Sequence, residues 1–81
     1  MKVTVLFFAQ VRELAGRAGA ELSLPEGSRL EDALAALARE HPALGPLWPH
    51  VAVAVGGRLA RPDTPLADGA ELALLPPVSG G

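Results

Sequence analysis

The chain contains no cysteine. That absence excludes a disulfide framework, a thiolate metal site and a cysteine side chain that carries sulfur or attacks a substrate. It agrees with a reducing compartment, so a cytoplasmic location is expected. No apolar run approaches the roughly 18 residues that a membrane helix needs, and no membrane partner is expected. The opening MKVTVLFFAQ carries one positive charge and no small-residue cleavage pattern, so it reads as a strand rather than an export signal. A basic excess is missing too. The seven basic residues (Lys2, Arg12, Arg17, Arg29, Arg39, Arg58, Arg61) are scattered, and nine acidic ones leave a net charge of −2. Nucleic-acid binding draws on the opposite balance, so no nucleic-acid partner is expected. Repeats and low-complexity segments are also absent.

What is present suits one small packed domain: 81 residues, 49% hydrophobic and 20% charged. KVTVLFF alternates as a strand, with Val3, Val5 and Phe7 on one face and Thr4, Leu6 and Phe8 on the other. AGRAG reads as a turn, AELSL as a strand returning antiparallel, and PEG closes that unit. SRLE predicts a capping box, with Ser28 as N-cap and Glu31 three residues on. Leu30, Ala33, Leu34, Leu37, Ala38 and His41 follow at helical spacing, and Pro42 ends the helix. PALGPLWPH is too proline-rich for regular structure, with Trp48 expected over one end of the core. VAVAV, a Gly56-Gly57 turn and RLA predict a hairpin; RPDTPLADG predicts a double turn and AELALL a last strand. The expected class is α+β: strand order β-β-α-β-β-β, a mixed sheet with one main helix on one face, in a domain over 1–75 followed by an extended tail over 76–81. That order is the β-grasp arrangement of ubiquitin-like proteins, a fold that hosts several unrelated functions.

No set of side chains predicts a catalytic centre. His41 falls on the last helical turn, where a cation suits the helix dipole, and His50 has no partner at metal spacing. Glu31 and Asp32 open the helix; Asp63 and Asp68 are turn residues; the remaining carboxylates read as solvated surface. Neither a GxxxxGK nor a GxGxxG pattern opens a helix, so there is no phosphate loop. No metal site and no bound cofactor is expected. One reactive group remains, the α-carboxylate at the end of PPVSGG. Pro76 and Pro77 favour a stiff, extended lead-in. Gly80 and Gly81 carry no side chains, so the tip can lie in a narrow channel. The tail alone fits a frayed end equally well.

The stretches VLFFAQVRELAG and PLADGAELALLPPVSGG, with the β-grasp order, resemble the small subunit of molybdopterin synthase, from the first strand to the last residue. The Gly-Gly end is shared with ubiquitin, the thiamine sulfur carrier and the tRNA-thiolation carriers; FFAQVREL together with PPVSGG is more specific. The resemblance implies that an E1-like adenylating enzyme uses ATP to activate the Gly81 carboxylate. It implies that a sulfur-donor enzyme then converts it to a thiocarboxylate. The tail would enter the large subunit, in a heterotetramer of two small and two large subunits, and donate sulfur to cyclic pyranopterin monophosphate to build the dithiolene. The catalytic side chains would belong to the large subunit. A carrier for tRNA thiolation or thiamine synthesis, or a protein modifier, is the alternative. The alternation predicts that Val3, Val5, Phe7, Leu72 and Leu74 face the helix, leaving Leu6, Phe8, Ala73 and Leu75 on the open face as a docking patch. Leu59, Pro76 and Val78 extend it on the family pattern, with Arg12 and Arg61 as polar contacts at its rim. Relatives often carry aromatic residues at the positions of Leu74 and Leu75 and threonine at that of Ser79.

Overall fold

Strands from the two ends of the sequence form the centre of the sheet. The computed structural model describes residues 1–75; the tail over 76–81, and with it the domain boundary expected after residue 75, lies outside the described residues. β1 (Lys2–Phe7) and β5 (Glu71–Leu75) run parallel, with Thr4 opposite Glu71 and Phe7 opposite Leu74. A parallel pair needs a crossover, and the whole intervening chain supplies it. β2 (Gly19–Ser23) pairs antiparallel with β1, β3 (Ala52–Val55) pairs antiparallel with β5, and β4 (Arg58–Leu59) closes the other edge. The five-stranded order is β2-β1-β5-β3-β4, the mixed β-grasp sheet expected from the sequence.

Period-two alternation puts Val3, Val5, Phe7, Leu72 and Leu74 on the inner face, none more than 2% exposed. α2 (Leu30–Glu40) covers them with Leu30, Ala33, Ala36 and Leu37, all buried. Leu34 and Ala38, also on the expected stripe, are half-buried at its margin. His41 caps the helix C-terminus and sets its ring edge-on to Phe7, with centroids 5.5 Å apart. Full burial of a Val, Leu or Phe side chain is worth about 1.5–3 kcal/mol, so this inner layer is where the stability lies.

Three local expectations need correction. First, AQVRELA forms a second helix, α1 (Ala9–Ala15), inside the stretch expected to run from strand straight to turn. It docks through the fully buried Val11 and ends on Gly16 in the left-handed conformation. The observed order is therefore β-α-β-α-β-β-β. Second, PALGPLWPH is regular: it forms a 3-10 helix over Pro42–His50 that buries Leu44. Proline's fixed φ suits that geometry, and Pro42 opens the helix, where a missing N–H is a donor the first turn does not use. Trp48 packs half-buried against the core as expected, with Nε1 buried and unpaired among the described residues.

Third, the cap of α2 lies one residue later than SRLE predicted. Ser28 is drawn into a turn, where its Oγ donates to the Pro25 carbonyl at 2.8 Å. Arg29 is the N-cap residue, and its N–H donates to the Asp32 carboxylate at 2.8 Å. A bridge from Arg29 to Pro65 holds it extended. The first helical donors go to the β4–β5 connection: Leu30 N–H to the Thr64 carbonyl and Glu31 N–H to the Pro62 carbonyl, both at 2.8 Å. Tertiary carbonyls thus satisfy orphan donors that a side chain was expected to take.

Candidate functional site

The register of the sheet also sorts its outer face. One row across four strand pairings reads Gly19, Leu6, Ala73, Ala54, Leu59. The next outward pair, toward the end of β5, is Leu75 with Ala52. Phe8 follows directly on the Phe7–Leu74 pair and is 44% exposed, and Leu59 is 75% exposed. The opposite half of the same face is polar. Thr4 stands between Glu21 and Glu71, and Lys2 reaches Glu21 at 3.7 Å across an exposed pair. An open face is ordinarily polar along its whole length. Here the apolar half lies at the end where β5 hands the chain to residue 76.

The expected site residues fall into three groups. Phe8, Leu59 and Leu75 belong to the apolar half of the outer face, with Leu6 and Ala73 beside them as expected. Arg12 and Arg61 are exposed but come from different neighbourhoods. Arg12 lies on α1, directly after the buried Val11. Arg61 opens the turn whose Pro62 carbonyl receives the Glu31 N–H, so it sits by the first turn of α2. Pro76, Val78, Gly80 and Gly81 lie outside the described residues.

Ala52 and Ala54 were not singled out from the sequence, because their strand shows alternation without revealing its neighbours. Leu59 also borders an apolar groove of about 280 Å³ between α2 and β3, with Leu30, Leu34, Val53 and Pro62 in its walls. The left-handed Ala9, with φ of 47°, was missed as well. The helix-forming run AQVRELA followed by Gly16 signalled α1 but was too short to stand out, and no residue type at position 9 signals a positive φ.

Chemically, the described part of the candidate site offers exposed apolar side chains, Phe8 and Leu59. His41 is committed to Phe7, and His50 is exposed at the end of the 3-10 helix. No described helix is long and apolar enough to cross a membrane.

Comparison with known proteins places the sequence in context. The model of the ThiS family matches residues 5–81. The chain is 39% identical to the molybdopterin synthase sulfur carrier subunit of Chlamydomonas reinhardtii, over all of both chains. Its structure superposes on small archaeal modifier protein 1 from Haloferax volcanii with a TM-score of 0.91, at 34% identity over all of both chains. It also matches a chain in the complex of subunits 1 and 2 of the molybdopterin-converting factor from Helicobacter pylori, with a TM-score of 0.74, at 30% identity and full coverage of both.

Proposed function

The chain belongs to the ThiS family, and from that premise we propose that it is the sulfur carrier subunit of a molybdopterin synthase. The observation that carries the proposal is the placement of the apolar half of the open face, with Phe8, Leu59 and Leu75, at the end of the sheet from which residue 76 departs. A docking patch there would seat the domain on a large subunit and aim residues 76–81 into it. The Helicobacter pylori relative, solved as a complex of two subunits, supports that partnership.

In this reading the reactive atom is the carbonyl carbon of Gly81. Its carboxylate oxygen attacks the α-phosphorus of ATP on an E1-like enzyme, giving the acyl-adenylate and releasing pyrophosphate. Sulfide delivered by a donor enzyme then attacks the acyl carbon. The carbon–oxygen bond to AMP breaks, and a thiocarboxylate remains. Inside the large subunit that sulfur passes to cyclic pyranopterin monophosphate as water cleaves the bond between the acyl carbon and sulfur, which returns Gly81 to a carboxylate. ATP serves the activating enzyme and is not held by this chain. Holding the thiocarboxylate beside the pterin makes the transfer effectively intramolecular. The slim Gly80-Gly81 tip keeps the path narrow, and the lack of cysteine in the chain suits sulfur carried on the main chain.

The test is mass spectrometry of the intact protein after incubation with the activating enzyme, ATP and a sulfur source. The expected result is the mass of one oxygen-to-sulfur exchange, located at Gly81. An unchanged mass, under conditions that modify a known carrier, overturns the proposal.

A second reading, a protein modifier, is favoured by the likeness to small archaeal modifier protein 1. Partner identity separates the two. Copurification of a synthase large subunit supports the first; recovery of the chain joined to protein lysines without that subunit supports the second.

A further inference from the structure

The junction between β1 and α1 makes its reversal in a single residue. Among the described residues Ala9 is the one non-glycine with a positive φ, 47°. Left-handed backbone is unfavourable for a residue with a Cβ, so the surrounding structure must impose it. Both sides of the junction are tied. Phe7 N–H donates to the Ala18 carbonyl at 2.8 Å, and the Phe8 carbonyl accepts from Val11 N–H at 3.0 Å and from Arg12 N–H at 3.4 Å. Val11 is fully buried and anchors α1 to the core. Phe8 itself stays extended, with φ −118° and ψ 149°. Phe7 therefore points into the core, and Phe8 presents its ring to the open face while the chain turns away beneath it.

We propose that Ala9 is a positioning residue: its left-handed backbone holds the Phe8 ring in the docking patch before the partner arrives. A glycine could make the same turn, but it has broad wells at both signs of φ, whereas alanine has one narrow left-handed well. Alanine thus gives a stiffer hinge, and an aromatic ring ordered in advance leaves less freedom to lose on binding. The inference rests on the assembly reading above.

The test is Ala9→Gly in the full chain, alone and combined with Phe8→Ala. Urea stability is expected to hold or rise, since the turn is kept and the strain removed. NMR relaxation of the free protein is expected to show a less ordered Phe8 ring. Calorimetric affinity for the cognate large subunit is expected to fall about three- to tenfold, the range for one side chain left to be immobilised on binding. In the Phe8→Ala background the added Ala9→Gly change is expected to alter affinity less than twofold. A merely structural role predicts the same loss in both backgrounds, and that result overturns the proposal. An unchanged ring order in the free variant also overturns it. Failure of the wild-type chain to bind the large subunit brings down the assembly reading instead, and ring order then decides the positioning role by itself.

Discussion

Leu59→Ala separates a docking residue from a core residue. The substitution removes three carbons, worth about 2.4 kcal/mol of transfer free energy if all were fully buried, at about 0.8 kcal/mol each. Leu59 is 75% exposed in the free domain, so only about a quarter of that contributes to folding. Urea denaturation should therefore register a loss of about 0.6 kcal/mol or less. The remaining ~1.8 kcal/mol is available only when a partner covers the side chain, and it corresponds to a roughly twentyfold weaker complex. Isothermal calorimetry with the large subunit reads that loss directly. Leu74→Ala is the internal control. Leu74 is 0% exposed on the inner face of β5, so its truncation should cost about 2–5 kcal/mol of stability, the range for a cavity in a core. A Leu59→Ala variant with unchanged affinity, or with a stability loss approaching that of Leu74→Ala, would refute the assignment of the outer face.

Two further substitutions test local structure by urea denaturation. Asp32→Ala removes the acceptor for the Arg29 N–H and should cost about 1 kcal/mol, while Glu31→Ala should stay within about 0.5 kcal/mol; equal losses would restore the cap to Ser28 and Glu31. Gly19→Ala should cost about 1–3 kcal/mol, because a Cβ there would meet the Val5 carbonyl oxygen at 2.5 Å between two paired strands; a neutral result would show that β1 and β2 can spread apart.

The sequence was most legible where period and burial agree. Val3, Val5, Phe7, Leu72 and Leu74 alternate cleanly, and all five fill the inner face. The Gly56-Gly57 turn was legible because both positions need the positive φ they adopt, 58° and 85°. Asp68 and Gly69 form the expected turn, and the structure adds that the Asp68 carboxylate accepts the Lys2 N–H at 2.7 Å across the domain. The seven residues of α1 were not legible, since two turns of helix are not stable alone and α1 exists because Val11 has a core to enter. The displaced cap of α2 has the same origin. Ser28 has the right chemistry for an N-cap, but carbonyls from residues 62 and 64 occupy the donors first.

By itself, then, the sequence determined which side chains share a strand face, where the long helix runs, that no cysteine chemistry is available, and that the chain resembles sulfur carriers from FFAQVREL to PPVSGG. Those follow from residue type and spacing, which act over a few bonds. The tertiary structure alone decided that Leu6, Ala73, Ala54 and Leu59 fall into one row, that the row lies at the end of the sheet where residue 76 departs, and that Ala9 turns left-handed under Phe8. The Ala9 turn depends on Phe7 tied to Ala18 and on Val11 entering the core, and the row depends on pairing between segments as much as 67 positions apart, such as Thr4 with Glu71. Such register is set by the packing of the whole inner face, and no short stretch of sequence encodes it.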